Sequence, residues 1–173
     1  MAYVKGLLGD MGPQHRLVGK SILEFGSFNV NGAVRDLLPK ATALPQPARY
    51  VGVDWRQGPG VDHVCLFHDI PWIGEFDILI SCNVFEHDPH WERSIEAGLM
   101  ALKPGGEIIL CCAGPGYPAH EVASSPLEGH YSNIPPGRFL EVLVSHGARG
   151  AMTVFTEPQD IAFHGSKLSP SDA

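Results

Sequence analysis

Apolar runs alternate with stretches of helical periodicity along most of this 173-residue chain. The apolar runs predict five strands, at residues 22–25, 50–54, 61–67, 76–82 and 107–112. Apolar positions three and four residues apart predict helices over residues 31–38, 89–102 and 136–146. Two further short strands are expected at residues 151–156 and 160–163. The run at 76–82 is almost wholly apolar, which is typical of a central strand covered on both faces.

This alternation predicts an α/β fold: a three-layer sandwich with a central, mostly parallel sheet. Strands 22–25 and 76–81 are expected to lie side by side in that sheet. One domain is expected over residues 1–173, with an N-terminal extension over 1–19 and a flexible tail over 165–173. Ligands of such sheets bind at the carboxyl ends of the strands. The residues that directly follow each strand are therefore the candidate site residues.

The turn after the first strand combines a carboxylate with a glycine. Residues 21–32 read SILEFGSFNVNG, which predicts a strand, a tight turn and the start of a helix. A helix N-terminus offers unpaired N–H groups and a positive dipole end, which suit an anion. Glu24, two residues before Gly26, would repel a pyrophosphate and attract a cation. Both signs together fit S-adenosylmethionine (SAM), which carries a carboxylate beside an ammonium and a sulfonium.

Composition narrows the class of protein. A hydrophobic content of 44% and a charged content of 18% describe a globular domain with a real core. The net charge of −7 argues against non-specific binding to nucleic acid or to an anionic membrane. The four cysteines lie in apolar runs without a C-x-x-C motif, which favours reduced thiols in a cytoplasmic protein. No apolar run is long enough to span a bilayer, and the first residues lack the apolar core of a signal peptide.

Two acidic residues follow the second and third predicted strands. Asp54 ends the second strand, where a carboxylate can accept both hydroxyls of a ribose. Trp55 follows it and could cover the edge of an adenine. Asp69 could accept from the adenine amino group, with Ile70 flanking the ring. Each carboxylate also has an ordinary interpretation, as a surface turn residue at Asp54 and as a cap or turn residue at Asp69.

Histidines follow the fourth and fifth predicted strands. His87 and His120 are candidate general bases, because a neutral imidazole can take a proton near neutral pH. A hydrogen bond to a neighbouring loop is the alternative role of each. Asp88 either faces the same cleft or caps the following helix, and His130 and Tyr131 are the next candidates on the acceptor side. No pair among the nine histidines has helical i,i+4 spacing with an acidic partner, so no metal site is predicted.

Together these segments resemble the class I SAM-dependent methyltransferases, a Rossmann-like group that includes small-molecule methyltransferases. Glu24-x-Gly26 looks like the first motif, and Asp54 matches its ribose-binding acidic position. Residues 76–87, FDILISCNVFEH, look like the fourth-strand motif. Residues 102–110, LKPGGEIIL, look like the turn and strand that follow. The resemblance covers residues 20–113.

The resemblance implies SAM as the cofactor and a set of residues that contact it. That set comprises Glu24, Gly26, Ser27, Asn31, Asp54, Trp55, Asp69, Ile70, Cys82 and Asn83. The chain departs from the first motif at two positions, since Phe28 and Val30 stand where the family usually has further glycines. The side chains of Asn29 and Asn31 are expected to replace backbone contacts in this bulkier turn.

The residues and the resemblance favour an enzyme that methylates a small-molecule acceptor. The Pro-containing motif used on base amino groups is missing from Asn83-Val84-Phe85-Glu86, which argues against a nucleic-acid substrate. The alternative is a catalytically weak or inactive SAM-binding-type domain that serves as a partner or scaffold. A nucleotide-dependent oxidoreductase is a third possibility, disfavoured by Glu24 and by the absence of G-x-G-x-x-G spacing.

Overall fold

The computed structural model describes residues 19–29, 34–37, 48–120, 129–157 and 159–169. Seven strands form one sheet within these residues: β1 Ser21–Phe25, β2 Arg49–Asp54, β3 His63–Val64, β4 Phe76–Cys82, β5 Leu102–Ala113, β6 Ala148–Val154 and β7 Asp160–Lys167. The α-helices described are α1, Trp91–Ala101, and α2, Pro136–Ser145. Short 3₁₀ helices span Val34–Leu37, Phe67–Asp69 and Phe85–His87.

The sheet has the strand order β3-β2-β1-β4-β5-β7-β6. Strand β1 pairs in parallel with both β2 and β4, which confirms the predicted central pair. Strand β7 runs antiparallel to β5 and β6, so the sheet is mostly parallel, as predicted. The chain order reverses between β1 and β4, and the carboxyl ends of strands at such a switch point form the usual ligand crevice of an open α/β sheet.

Side chains alternate between the two faces of the sheet and build two apolar clusters. The larger cluster packs β-strand side chains against α1 and α2 and includes Leu23, Phe25, Leu79, Ile95, Leu99, Phe139 and Leu143. The smaller cluster lies on the opposite face and contains Ile22, Val34, Ile78, Ile80, Ile109 and Cys111. Because Glu24 follows Ile22 by two residues, its side chain belongs to the face of the smaller cluster.

Several element boundaries differ from the sequence prediction. The third strand is only His63–Val64, because the chain then turns into the 3₁₀ helix Phe67–Asp69 and buries Phe67. Of the predicted helix 31–38, the described part is the 3₁₀ turn Val34–Leu37; its other residues lie outside the described ranges.

The carboxyl-terminal strands are longer than predicted. Strand β5 begins at Leu102, with a register irregularity opposite Phe76 and Ile78 that accommodates the Pro-Gly-Gly turn. Strand β7 continues to Lys167, so residues 165–167 pair with β6 instead of belonging to the tail expected from residue 165. None of the helices in the described residues is long and apolar enough to cross a membrane.

Candidate functional site

The turn after β1 bends towards the end of β2. The backbone N–H groups of Gly26 and Ser27 both donate to Val53 O, over 2.9 and 3.1 Å. Gly26 has a φ of +74°, and a Cβ at this position would lie 2.0 Å from Val84 Cγ2. Glycine is therefore required here both by the backbone conformation and by the close approach of the segment after β4. This contact brings the ends of β1, β2 and β4 together.

Glu24 is a buried carboxylate on this turn, with 3% of its surface exposed. Tyr50 donates its hydroxyl hydrogen to Glu24 Oε2 over 2.8 Å, and the guanidinium of Arg35 lies 4.5 Å from the centre of the Tyr50 ring. Burial raises the pKa of Glu24 to about 7, against the opposing effects of Tyr50, Arg35 and the Val34 N–H. The carboxylate is thus held close to its titration point, and an arriving cation would complete its ionisation.

Asp54 ends β2 and is 4% exposed. Its carboxylate accepts the backbone N–H of Arg56 on Oδ1, over 3.0 Å, and that of Phe28 on Oδ2, over 3.3 Å. Burial nevertheless raises its pKa above the usual range. A carboxylate offers about four acceptor sites, so Asp54 retains capacity for two hydroxyl donors. The turn after β1 and the predicted ribose acceptor are in direct contact.

The bulk of Phe28 is taken up by the loop after β2. A Cβ on Gly58 would lie 1.8 Å from the Phe28 ring, so the ring packs directly on that glycine. The guanidinium of Arg56 lies 4.5 Å from the centre of the same ring, and Asn29 N–H donates to Pro59 O over 2.9 Å. Phe28 stands where a glycine was expected from the resemblance. Its partner Gly58 in the Gly-Pro-Gly segment provides the space instead.

The predicted adenine side is built from aromatic rings at the ends of β1, β2 and β3. The ring of Phe67 stacks on Phe25 at a centroid distance of 4.9 Å and contacts Trp55 at 5.2 Å. Trp55 Nε1 is buried without a hydrogen-bond partner among the described residues. Asp69 ends the 3₁₀ helix beside these rings with its side chain 58% exposed, and Ile70 is half-buried against the larger cluster. An unpartnered indole donor and an exposed carboxylate thus flank this aromatic group.

The end of β4 supplies two more predicted contact residues. Asn83 has a φ of +55°. Every other non-glycine residue in the described ranges has a negative φ. Its N–H donates to Cys111 O over 2.8 Å, and its Oδ1 accepts from the thiols of Cys82 and Cys111 at 3.9 and 3.7 Å. Ser27 is buried, and its hydroxyl has no hydrogen-bond partner in the part of the chain that the structure describes. Asn31 lies outside the described residues.

The two predicted histidines, His87 and His120, meet beyond the ends of β4 and β5. Their Nε2 atoms are 3.2 Å apart and their ring centres 4.9 Å apart. The ring of Tyr131 contacts both, at centroid distances of 5.5 and 5.0 Å. His87 Nδ1 lies 3.4 Å from His130 O, and His120 Nδ1 lies 3.2 Å from Pro118 O. The loops after β4 and β5 therefore join in one polar cluster.

Sequence reasoning did not select Glu86, which lies beside His87 in this cluster. Glu86 has no exposed surface, and neither carboxylate oxygen has a hydrogen-bond partner among the described residues. Burial raises its pKa to about 8, and the backbone N–H groups of Glu86 and Ala113, which approach the carboxylate outside hydrogen-bonding geometry, moderate the shift. The signal available in the sequence was an acidic residue directly before a candidate histidine, at the end of an apolar strand. Glu86, His87 and His120 bring three possible ligand atoms within 4.8 Å of one another.

Asp88 contacts the start of α1 but is not its N-cap residue, so the predicted capping role with Pro89 at the first helical position is wrong in detail. Its carboxylate accepts His90 N–H over 2.8 Å and the Ser94 hydroxyl over 2.5 Å. Helix α1 begins at Trp91, with His90 as the N-cap residue, two residues later than the helix expected from Pro89. Asp88 is thereby occupied in holding the helix.

An open pocket of about 380 Å³ lies beyond the ends of β5 and β6. Its lining residues are Tyr117, Pro118, Thr156, Glu157 and Gln159. The ring of Tyr117 contacts His120 at a centroid distance of 5.6 Å, so the pocket borders the histidine cluster. Asn133 fixes this region by donating to Gly114 O and Tyr117 O over 2.8 and 3.1 Å.

The chain has the fold of the class I SAM-dependent methyltransferases. A SAM-dependent methyltransferase from Mesorhizobium loti matches with a TM-score of 0.65 and 14% identity, over 93% of this chain and 96% of that chain. The 1,6-didemethyltoxoflavin-N1-methyltransferase of Burkholderia thailandensis, solved with 1,6-didemethyltoxoflavin and S-adenosylhomocysteine bound, matches with a TM-score of 0.64 and 11% identity, over 96% and 77% of the chains.

The same fold also occurs in a protein described by a different reaction. SpnF, a 4+2 cyclase, matches with a TM-score of 0.67 and 14% identity, over 95% of this chain and 81% of that chain. No protein-family model matches the chain. A highly reducing polyketide synthase, number 40 of Fusarium pseudograminearum (strain CS3096), is 31% identical over 72 residues, which are 42% of this chain and 3% of that protein. The chain thus spans a small fraction of that protein's length.

Proposed function

We propose that this protein is a SAM-dependent methyltransferase that acts on a small-molecule acceptor. The observation that carries the proposal is the pair of buried carboxylates, Glu24 and Asp54, on either side of the Gly26 turn. In a class I fold, a carboxylate at the end of β1 suits an ammonium group, and one at the end of β2 suits two ribose hydroxyls. A dinucleotide would bring its pyrophosphate to the same turn, where Glu24 repels it.

The residues at the strand ends divide the cofactor site into three parts. Glu24, Gly26 and Ser27 would hold the amino-acid end, and Asp54 would accept the ribose hydroxyls. Trp55 and Ile70 offer apolar surface for the adenine ring, with Asp69 as an acceptor for its amino group. Cys82 and Asn83, together with Asn31, complete the proposed contact set: they follow the strands that border the switch point.

The chemistry needs positioning more than a specialised catalytic triad. When bound, SAM supplies a methyl group already activated on a sulfonium. The buried strand ends hold the reactants in line and keep water out, which can lower the barrier by several kcal/mol. A hydroxyl or ammonium acceptor must also lose a proton, and in this proposal His87 or His120 would take it. Tyr131 packs on both rings and fixes them.

A small molecule is the favoured acceptor class because of the charge and size of this region. The pocket beside Tyr117 and His120 has a volume of about 380 Å³, within the range of small-ligand sites. Glu157 lines it, and the whole chain carries a net charge of −7. A nucleic-acid backbone would need clustered Lys and Arg at this edge.

A second candidate function rests on the Phe28 turn. Phe28 N–H already occupies one oxygen of Asp54, and its ring is locked between Gly58 and Arg56. If this turn excludes the ribose, the chain is a partner or scaffold domain that binds SAM weakly or not at all. The enzyme and the scaffold domain would therefore differ in their affinity for SAM, which can be measured.

Calorimetry with SAM, S-adenosylhomocysteine and NAD tests the proposal. We expect SAM and S-adenosylhomocysteine to bind one site per chain, and NAD to show no binding. Release of S-adenosylhomocysteine in the presence of hydroxyl and amine acceptors then tests for turnover. A folded protein that binds none of the three ligands would support the scaffold function and end the enzyme proposal.

The acceptor side is tested separately from the cofactor side. His87→Ala and His120→Ala should leave SAM affinity nearly unchanged, whereas turnover falls at least tenfold in one of them. His146→Ala is a matched control, because His146 lies at the end of α2 and contacts Glu96 there. Full turnover in both cluster variants would contradict a role of these imidazoles in the reaction.

A further inference from the structure

The cluster of Glu86, His87 and His120 combines two imidazoles with a carboxylate, and its ligand atoms lie within 4.8 Å of one another. The side chains come from two places: the 3₁₀ helix after β4 carries Glu86 and His87, and the loop after β5 carries His120. No motif in the sequence predicts this set, because 33 positions separate the two histidines. The tertiary fold alone brings them together.

Backbone carbonyl groups face one nitrogen of each imidazole ring. His87 Nδ1 faces His130 O at 3.4 Å, and His120 Nδ1 faces Pro118 O at 3.2 Å. A carbonyl oxygen only accepts hydrogen bonds, so the tautomer with the proton on each Nδ1 matches both contacts. In that tautomer both Nε2 atoms are lone-pair donors. They lie 3.2 Å apart, and a cation bound to both would relieve the repulsion between them.

The separation of the two nitrogens suits a metal ion. Zn²⁺ binds histidine nitrogen at about 2.0–2.1 Å, so two nitrogens at a tetrahedral angle are roughly 3.3 Å apart. The observed distance of 3.2 Å is close to that value. Donation of the other ring N–H to a backbone carbonyl is also the usual arrangement around metal-binding histidines, since it orients the ring. A hydrogen bond between the two rings is the competing arrangement, and it would leave the Glu86 carboxylate without a partner among the described residues.

Glu86 supplies an independent observation that points to a cation. The residue has no exposed surface, and both carboxylate oxygens lack hydrogen-bond partners among the described residues. A buried carboxylate without a partner is costly unless it pairs with a cation or holds a proton. Its oxygen lies within 4.8 Å of both imidazole nitrogens, and rotation of the side chain would bring it closer to a shared ion.

We propose that Glu86, His87 and His120 bind one divalent transition-metal ion, with zinc as the best match. Two imidazoles and one carboxylate are a known zinc ligand set, and they leave a fourth position open. The oxygen-preferring ions Mg²⁺ and Ca²⁺ suit this set poorly. The open position would lie on the side of the exposed His120, next to the Tyr117 pocket.

The metal site stands on its own geometry, but its part in methyl transfer rests on the proposed function. An acceptor hydroxyl at the open position would lose its proton to solvent, because a bound cation lowers the pKa of an attached oxygen. The oxygen would then form the new bond to the methyl group as the sulfonium S–C bond breaks. The bonding pair would stay on sulfur and leave a neutral thioether. In this scheme the acceptor is a hydroxyl-bearing small molecule, and the imidazoles act as ligands of the ion.

Calorimetric titration of the chelator-treated full chain with ZnCl₂ tests the site. We expect one Zn²⁺ per chain with sub-micromolar affinity, and no comparable binding of MgCl₂. Glu86→Gln, His87→Ala and His120→Ala should each weaken zinc binding at least tenfold. His164→Gln is the matched control: His164 also lies beside a carboxylate, with Nε2 2.8 Å from Glu107 Oε1, but belongs to no cluster of three possible ligands among the described residues. Its zinc affinity should equal that of the unchanged chain.

Two results would overturn the site. One is zinc binding no tighter in the unchanged chain than in His120→Ala, whose exposed position lets the variant fold. The other is equal loss of binding in His164→Gln. A SAM titration of the same samples keeps the two proposals apart. Zinc binding without SAM binding would support the metal site and refute the methyltransferase proposal. SAM binding without zinc binding would refute the metal site and leave the methyltransferase proposal standing.

Discussion

The hydroxyl of Tyr50 donates a hydrogen bond to Glu24 Oε2 across 2.8 Å and joins β2 to β1 at the face of the smaller cluster. Burial and the adjacent carboxylate raise the pKa of Tyr50, so its hydroxyl remains a donor at neutral pH. The contact holds Glu24 in place while burial keeps its pKa at about 7. A fixed carboxylate near its titration point has consequences for both binding and stability.

SAM affinity should depend on pH through Glu24. The ammonium group of SAM favours the ionised carboxylate, so binding releases a proton whenever Glu24 is protonated in the free protein. With a pKa of about 7, affinity should rise about tenfold between pH 6 and pH 8. Calorimetry across this range measures the rise. Glu24→Gln should remove this rise in SAM affinity and leave only the pH dependence that comes from the ligand itself. If affinity rises with pH as steeply in Glu24→Gln as in the unchanged chain, Glu24 is not the partner of the ammonium group.

The stability of the unliganded protein should fall as pH rises through the same range. The pKa of Glu24 is raised from 4.5 to about 7 on folding, so the native state binds more protons than the unfolded state between these values. The stabilising contribution of protonated Glu24 to the free energy of unfolding is fully present below pH 4.5 and lost above pH 7. Glu24→Gln should therefore stabilise the protein at pH 8 by on the order of 1–3 kcal/mol and have little effect at pH 4.5. Urea unfolding at both pH values checks this difference.

Asp54→Asn should weaken SAM binding without unfolding the protein. An amide oxygen can still accept one of the two backbone N–H groups that Asp54 now accepts, from Phe28 and Arg56. The lost charge-assisted hydrogen bonds correspond to about 1.5–3 kcal/mol, or roughly a tenfold to hundredfold loss of affinity. Calorimetry measures the loss, with the exposed Glu141→Gln in α2 as the control. Equal SAM affinity in folded Asp54→Asn would show that Asp54 does not bind the ribose.

Gly26→Ala should destabilise the protein more than Gly105→Ala. Both glycines have almost the same positive φ, +74° and +75°, but only the Gly26 position places a Cβ against another residue, 2.0 Å from Val84 Cγ2. Strain from the backbone conformation alone costs on the order of 1 kcal/mol, and the clash adds a further 1–3 kcal/mol at Gly26. Urea unfolding gives both values.

The double variant Gly26→Ala/Val84→Ala checks the cause of that difference. Val84→Ala removes the two methyl groups that a Cβ at residue 26 would meet. The loss of stability caused by Gly26→Ala should therefore be smaller in the Val84→Ala background than in the unchanged chain. If the two substitutions are additive, the close approach of β1 and the segment after β4 does not limit residue 26.

The local pattern of apolar residues determined the central part of the fold. The run at 76–82 matches β4, and the expected neighbour of β4 is β1, as observed. Strand periodicity and covered faces are local properties, so they can be read from a few consecutive residues. The position of Asp88 before Pro89 placed this carboxylate near the start of α1, but the N-cap residue is His90, two positions later than predicted.

Contacts between distant loops required the tertiary structure. The ring of Phe28 occupies the space above Gly58, and His87 meets His120 across 33 positions of sequence. The burial of Glu86 likewise depends on contacts from distant residues, such as Ser132, whose N–H donates to Glu86 O over 2.8 Å. The sequence by itself determined which residues follow each strand, because chain order and periodicity specify strand ends. Only packing decided which of those residues share a site, since side-chain contacts between loops depend on distances that no local pattern encodes.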